Sequence, residues 1–225
     1  MEETKILVGI DLSIASKELI EVLIEDTTDP SIFEEIARTN VKRPDILTLL
    51  LEHPETPENV RDEISKSLHA PVKTHMEVAK VKRPPEDRTQ TILQKVQKLS
   101  VSEKLQLALK GGKEIRSLLL RDPNKEIALS VLDNPKLTET EVEVIAKSRS
   151  ISDEALRKIT KKREWMKNYN IILSLVTNPK TPPGIAMSLI SELKTKDLAI
   201  LEKNKNVVEG IRVTAKKLLK ARKAH

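Results

Sequence analysis

Apolar residues recur along this 225-residue chain at the spacing of a single helical face. Leu19, Ile20, Leu23 and Ile24 follow the i, i+1, i+4, i+5 pattern, and similar stretches continue to the end of the chain. Alternation of apolar and polar residues over the length of a strand is absent, and five glycines leave few hairpin turns. The pattern therefore predicts an all-α protein with about a dozen short helices.

Capping residues indicate where several of these helices begin. Ser100 with Glu103, and Thr138 with Glu141, have the spacing of capping boxes. Other starts combine an oxygen-bearing cap with a proline at the first helical position, where the missing N–H costs nothing. These pairs are Asp29-Pro30, Thr56-Pro57 and Thr181-Pro182.

Charge is distributed unevenly along the chain. The formal net charge of +6 combines −8 over residues 1–75, +1 over residues 76–90 and +13 over residues 91–225. Such an asymmetry indicates that the two ends present different surfaces to partners.

A proline-rich segment separates the acidic end from the basic end. Residues 69–90 contain three prolines, a Pro-Pro pair among them, and mixed charge, which predicts an extended linker. We therefore predict an acidic helical module over residues 1–68, a linker over residues 69–90 and a basic helical array over residues 91–225. The acidic and basic halves could contact each other within one chain or head to tail between chains.

Two short signatures alternate along the chain. In the first, Asn or His closes a helix, Pro prevents its continuation and a following Thr caps the next helix. Its copies are HPETPENV at 53–60, NPKLTETEV at 134–142 and NPKTPPGI at 178–185. In the second, an aliphatic helix ends in a basic and then a small polar stretch. Its copies are IARTNVKRPDIL at 36–47, IAKSRSISDEAL at 145–156 and LEKNKNVVEGIR at 201–212. The irregular intervals predict a degenerate array of stacked helix pairs, with an extra helix in some units.

The N-P-x-T-P turn followed by an aliphatic helix resembles the HEAT-like and leucine-rich-repeat-variant class of α-helical repeat proteins, which includes uncharacterised bacterial members. The resemblance is strongest over residues 123–222. It implies a right-handed, HEAT-like helical repeat solenoid that serves as a binding surface. Some leucine-rich-repeat-variant proteins carry a cysteine-bound iron–sulfur centre, and this chain has no cysteine, so that cofactor is not expected here.

Residues that many catalytic sites require are missing or badly spaced. The absence of cysteine excludes disulfides, a Cys nucleophile and thiolate metal sites. The histidines, none of them paired at H-x-x-x-H spacing, are His53, His69, His75 and His225. Phosphate-binding and nucleophile-elbow motifs are absent, and Gly111-Gly112 predicts a helix-breaking turn. We therefore expect a non-enzymatic protein with no catalytic residue, cofactor or metal.

The single Trp and the single Tyr lie in one basic segment, residues 161–170. Basic residues interleaved with aromatic rings suit a nucleic-acid groove, with charge for phosphate and rings for base stacking. Alternatively, Trp165 and Tyr169 are i, i+4 neighbours on one helix and pack into the core. Packing is the favoured interpretation, because a chain with three aromatic residues has few rings for base stacking.

Basic residues recur at equivalent turns, which would align as a ridge along one edge of a solenoid. The candidate partner-binding residues are Lys147, Arg149, Arg157, Lys161, Lys162, Trp165, Lys203, Lys205, Arg212 and Lys216. The leading expectation is a scaffold that holds an anionic protein or peptide partner. The alternative is a nucleic-acid-binding repeat protein that uses the basic array over residues 91–225.

No membrane association is expected from this sequence. The first 20 residues lack a basic region and a small-residue cleavage site, and no apolar run approaches the roughly 18 residues needed to span a bilayer. The basic C-terminal stretch has Val213, Leu218 and Leu219 but no aromatic anchor for a membrane surface. We therefore expect a cytoplasmic protein.

Overall fold

The computed structural model describes residues 11–27, 29–68 and 85–223, with side chains from residue 91 onward in the last range. This part of the chain contains 14 α-helices and no strand, so the prediction of an all-α protein is confirmed. The helices form two compact units, residues 1–118 and residues 119–225. We call them the first and the second unit.

The first unit contains seven helices in its described residues. Their bounds are α1 Lys17–Asp26, α2 Pro30–Thr39, α3 Pro44–Glu52, α4 Glu58–Leu68, α5 Pro85–Lys98, α6 Val101–Lys110 and α7 Lys113–Leu119. Helix α1 packs against α2, α3, α5 and α6 and buries apolar residues around most of its circumference. A wide apolar face lets a helix contact several neighbours at once, and α1 does so in this unit.

The second unit contains the remaining seven helices that the structure describes. Their bounds are α8 Lys125–Val131, α9 Glu139–Lys147, α10 Asp153–Lys161, α11 Tyr169–Thr177, α12 Pro183–Leu189, α13 Thr195–Lys203 and α14 Glu209–Lys223. Short 3₁₀ turns cover Trp165–Lys167 and Ile190–Glu192. Helices packed on their second neighbour in the chain are α8 on α10, α9 on α11 and α12 on α14. Together they enclose a core that is aliphatic except for the buried ring of Trp165.

The unit boundary and the predicted segments differ in position. Residues 69–84 of the predicted linker lie outside the described residues, and residues 85–90 belong to the first two turns of α5. Residues 91–118 of the predicted basic array belong to the first unit. The second unit alone has 22 Lys/Arg and 13 Asp/Glu, a formal charge of +9, and the first unit has 18 and 21, a formal charge of −3.

Local capping signals place many of the helix starts correctly. Ser100 with Glu103 and Thr138 with Glu141 both form complete capping boxes, and Asp29 caps α2 with Pro30 as its first residue. The structure corrects two predicted starts. Helix α4 begins one residue after Pro57, and Pro182 rather than Thr181 precedes α12. Their threonines are buried instead, and Thr56 Oγ1 donates to the Leu50 carbonyl at 2.6 Å.

The predicted Gly111-Gly112 turn is confirmed, because it separates α6 from α7. A Cβ atom on Gly112 would lie 2.3 Å from the Asp26 carbonyl oxygen, which is far inside van der Waals contact. The Asp26 carboxylate accepts the backbone N–H of Ile115 at 2.8 Å in the same place. Glycine therefore lets the start of α7 approach the end of α1.

Candidate binding groove of the second unit

Helices α9, α11 and α13 line a groove of about 230 Å³. Each helix has nine residues, and α11 and α13 both present positions i, i+3, i+4 and i+7 to the groove, which is one face of a helix. The lining residues are Glu143 and Lys147 of α9, Asn170, Leu173, Ser174 and Thr177 of α11, and Asp197, Ile200, Leu201 and Asn204 of or adjoining α13.

Polar contacts join the three helices near their termini. At the C-terminal end, the Asn178 side-chain amide donates to the Ala146 carbonyl at 2.7 Å and the Ser148 carbonyl at 3.0 Å, which joins the ends of α11 and α9. At the N-terminal end, the Tyr169 hydroxyl donates to the Asp197 carboxylate, which joins the starts of α11 and α13.

Apolar surface is accessible in the groove. Ile200 is 66% exposed although it is a large aliphatic residue, and Leu173 of α11 is half-buried. Leu201, the residue after Ile200, is buried in the core of the unit. The groove therefore presents side chains that gain from contact with an apolar ligand group, at about 25 cal/mol per Å² of area removed from water.

Several polar side chains of the groove are engaged in ion pairs or in hydrogen bonds to their own helix. Lys147 pairs with Glu143 one turn earlier on α9. The Ser174 hydroxyl donates to the Asn170 carbonyl at 2.6 Å and the Thr177 hydroxyl to the Leu173 carbonyl at 2.8 Å. These hydroxyls have no imidazole or carboxylate partner in the described residues, so neither is activated as a nucleophile.

Tyr169 is held as a neutral phenol. Its oxygen accepts the backbone N–H of Lys194 at 2.9 Å, and the Lys194 ammonium lies 4.7 Å from the ring centroid. Burial and the hydrogen bond to Asp197 raise the pKa of Tyr169 above its usual value. The Tyr169 hydroxyl therefore connects the start of α11 to the start of α13 through hydrogen bonds.

A row of cations follows the C-terminal ends of the three groove helices. We call it the basic edge, and its members are Lys147 and Arg149 after α9, Lys180 after α11, and Lys203 and Lys205 after α13. All five side chains are exposed. Four of the predicted partner-binding residues therefore lie at one end of the groove, as expected for equivalent turns, and Lys180 joins them.

The other predicted partner-binding residues lie on elements that do not line the groove. Arg157 of α10 is 3.6 Å from Asp153, and Lys216 of α14 is 4.0 Å from Glu202. Lys161 is exposed at the end of α10, and Arg212 of α14 is half-buried. These four residues therefore lie on α10 and α14, where Arg157 and Lys216 form ion pairs.

Trp165 and Lys162 pack together at the turn before α11. Trp165 is 6% exposed, and the Lys162 ammonium lies 4.3 Å from its ring centroid. The same ammonium donates to the Leu132 carbonyl at 2.5 Å. The favoured interpretation of Trp165 as a core residue is confirmed. The expectation of one continuous helix through Trp165 and Tyr169 is wrong, because Asn168 caps a new helix between them.

The sequence analysis did not identify Ile200, Leu173 or Lys180 as candidate binding residues. Ile200 and Leu173 are ordinary aliphatic positions in the sequence, and only the packing of α9, α11 and α13 reveals their exposure. Lys180 did carry a signal, since Asn134-Pro135-Lys136 and Asn178-Pro179-Lys180 have the same turn sequence.

The described residues contain no group of three or more His, Asp or Glu side chains arranged to hold a metal ion. Within the same ranges, every helix is too short or too polar to cross a bilayer. Compared with protein-family models, curated proteins and solved structures, the chain matches none of them.

Proposed function

We propose that this chain is a non-enzymatic binding scaffold of the HEAT-like, leucine-rich-repeat-variant class, which holds a protein or peptide partner in the groove of the second unit. The observation that carries the proposal is the exposed apolar side chain of Ile200 in a groove that Leu173 also lines. Ser174, Thr177 and the Glu143–Lys147 pair are already engaged in hydrogen bonds to their own helix or in an ion pair. Covering such an apolar surface with a ligand lowers the free energy of the system.

The repeat architecture is supported by packing and by a recurring turn. Helices pack on their second neighbours, as stacked helix pairs do. Asn134, Asn178 and Asn204 each follow a helix and accept the backbone N–H two residues later at 2.9–3.0 Å. One side chain thus forms the same turn three times in the second unit, with intervals of 44 and 26 residues, consistent with a degenerate repeat.

The non-enzymatic assignment is supported by the state of the groove residues. The hydroxyls of Ser174 and Thr177 donate to carbonyl groups of their own helix. Asp197 accepts from Tyr169, and Glu143 pairs with Lys147. Each group that could act as a nucleophile or base is already used for structure.

Panning a random 12-residue peptide display library against the full chain tests this proposal. We expect a consensus with an apolar anchor residue. Ile200→Arg should abolish its enrichment, because a charge then replaces the apolar floor. Val213→Arg is the matched control, since Val213 is 45% exposed on α14 outside the groove lining. Absence of any consensus, or equal loss with both variants, would contradict the proposal.

Nucleic-acid binding is a second candidate, favoured by the +9 charge of the second unit. Helix α14 presents exposed Lys217, Lys220 and Lys223. The aromatic side chains argue against base stacking, because Trp165 is buried and the Tyr169 hydroxyl is hydrogen-bonded to Asp197. If about six phosphates are neutralised, the logarithmic salt slope is near −5, which costs roughly three orders of magnitude in affinity between 50 and 200 mM salt. A flat response with a 30-mer DNA and a 30-mer RNA removes this candidate.

A further inference from the structure

We propose that the groove selects an acidic peptide segment, in which one apolar side chain covers Ile200 and carboxylates two or three residues away contact the basic edge. This inference rests on the proposed function and names its ligand class. Three features of the second unit support this inference. Exposed cations lie at one end of the groove, nearby carboxylates form ion pairs with other cations, and the distance from Ile200 to the basic edge suits a short peptide.

The cations of the basic edge are available to a ligand. Lys147 is paired with Glu143, but Arg149, Lys180, Lys203 and Lys205 form no ion pair with any residue in the described ranges. The helix ends oppose them only weakly, since each C-terminus carries about −0.5 elementary charge and three of them sum to about −1.5. Four side-chain charges outweigh that field, so this end of the groove attracts anions.

Carboxylates near the basic edge in sequence pair with cations outside the basic edge. Glu202 precedes Lys203 but lies 4.0 Å from Lys216 of α14. Beyond Arg149, Asp153 lies 3.6 Å from Arg157 and Glu154 lies 3.4 Å from Lys125. The basic edge therefore keeps its positive potential despite the acidic residues close to it in sequence.

Two carbonyl groups at the end of α9 are also occupied. The Asn178 amide covers the carbonyls of Ala146 and Ser148. A carboxylate approaching this edge meets ammonium and guanidinium donors, with little repulsion from free carbonyl oxygens. The opposite end of the groove contains Asp197, so the acidic part of a ligand has one favourable orientation.

The spacing follows from helix and strand dimensions. Ile200 lies four residues before Asn204, about 6 Å along α13 at 1.5 Å per residue. An extended peptide advances about 3.3 Å per residue, so two or three residues separate the apolar anchor from the carboxylates. The ligand class is therefore a short segment with an aliphatic residue and an acidic pair at this separation.

Two display libraries test the inference with the full chain. One fixes Leu-x-Glu-Glu between randomised residues, and the other fixes Leu-x-Gln-Gln. We expect enrichment from the first library, and about tenfold weaker affinity when the Glu pair of its best peptide is changed to Gln, since exposed ion pairs each contribute up to about fivefold. Raising salt from 50 to 500 mM should remove most of that difference.

Matched variants locate the contact. Lys180→Gln, Lys203→Gln and Lys205→Gln combined should make the Glu and Gln peptides bind equally. Lys217→Gln, Lys220→Gln and Lys223→Gln on α14 remove the same total charge, and we expect them to retain at least half of the discrimination. Equal enrichment of both libraries, or equal loss with both triple variants, overturns this inference and leaves the proposed function intact. No enrichment from either library also overturns this inference, while the random library decides the proposed function separately.

Discussion

The two units differ in the largest polar side chains that they bury. In the first unit, Arg61 is fully buried and donates to the carbonyls of Leu51, His53 and Thr56. In the second unit, the buried polar residues include Asn134 and Asn178, which form compact turns between helices. Among the described residues, buried arginines occur in the first unit, where the short amide of Asn40 is buried as well, whereas the buried polar residues of the second unit are asparagines, a serine and a threonine.

Helix packing shows the same contrast. Helix α1 is surrounded by four helices of the first unit. In the second unit, α11 buries five of its nine residues and packs on α9 and α12, and α9, α11 and α13 leave one face open as the groove. In a closed bundle, the apolar surface is buried in the core. A layered arrangement of helices leaves apolar surface accessible to a ligand. The proposed binding site therefore lies in the second unit.

The largest expected effect is at Arg61. Arg61→Ala should lower the free energy of unfolding by about 3–5 kcal/mol, because it leaves buried carbonyls without a donor. Urea denaturation measures the change. Hydrogen exchange should show the lost protection in α3 and α4, with helices of the second unit unaffected. Burial lowers the pKa of Arg61, yet guanidinium remains charged throughout the accessible pH range.

Arg61→Lys is the control for charge alone. It keeps a cation but lacks the planar fork that reaches three carbonyls, so we expect an intermediate loss. A loss below 1 kcal/mol for Arg61→Ala would contradict the contrast between the units.

The next effect separates positions within the second unit. Asn178→Ala should cost about 2–3 kcal/mol, because a buried side chain loses two donated bonds and one accepted bond. Asn204→Ala should cost about 1 kcal/mol or less, since Asn204 is half-buried and accepts one backbone N–H. Thermal and urea unfolding of the two variants provide the comparison. Equal losses would mean that Asn178 does not connect α9 and α11 energetically.

Much of the local structure is predictable, and the reason is visible at particular residues. The capping boxes at Ser100 and Thr138 depend on four consecutive residues, so sequence alone determines them. The exposure of Ile200 depends on three helices that are about 30 residues apart in sequence, and no local pattern encodes it. The repeated turns of the sequence indicate that four cations of the basic edge lie at helix ends, although Lys180 was missed, and a binding role for these cations stays a prediction.

A pH effect tests two acidic groups of the first unit. Burial raises the pKa of Asp26, so its contribution to stability falls as pH rises through the range above its unfolded value of 3.8. Hydrogen bonds from Ser16 and Ser100 lower the pKa of Glu103, so its contribution is present above 4.5 and is lost as pH falls through the folded pKa. The two groups act in opposite directions.

Conservative amides distinguish the two signs. Relative to the unchanged chain, Asp26→Asn should become more stable and Glu103→Gln less stable as pH rises from 3.5 to 6, as measured by urea unfolding. Parallel pH profiles for the two variants would refute the opposite roles.

The smallest expected effect on stability is at the groove itself. Ile200→Arg should change the free energy of unfolding by less than about 0.5 kcal/mol, since Ile200 is 66% exposed. Leu201→Ala, one residue away and buried, should cost about 2–5 kcal/mol. Urea denaturation of this adjacent pair separates a surface available for binding from a surface used for folding. A large loss at Ile200 would show that its side chain serves the core.

Methyl NMR of the full chain tests the groove most directly, with the tightest peptide from the random library as the ligand. The Ile200 δ1 methyl should show the largest chemical-shift change, followed by Leu173 and Leu201. Val213 of α14 and Ile36 of the first unit should remain unchanged. Shifts concentrated at Val213 or in the first unit, with Ile200 unaffected at saturating peptide, would contradict the assignment of the groove as the binding site.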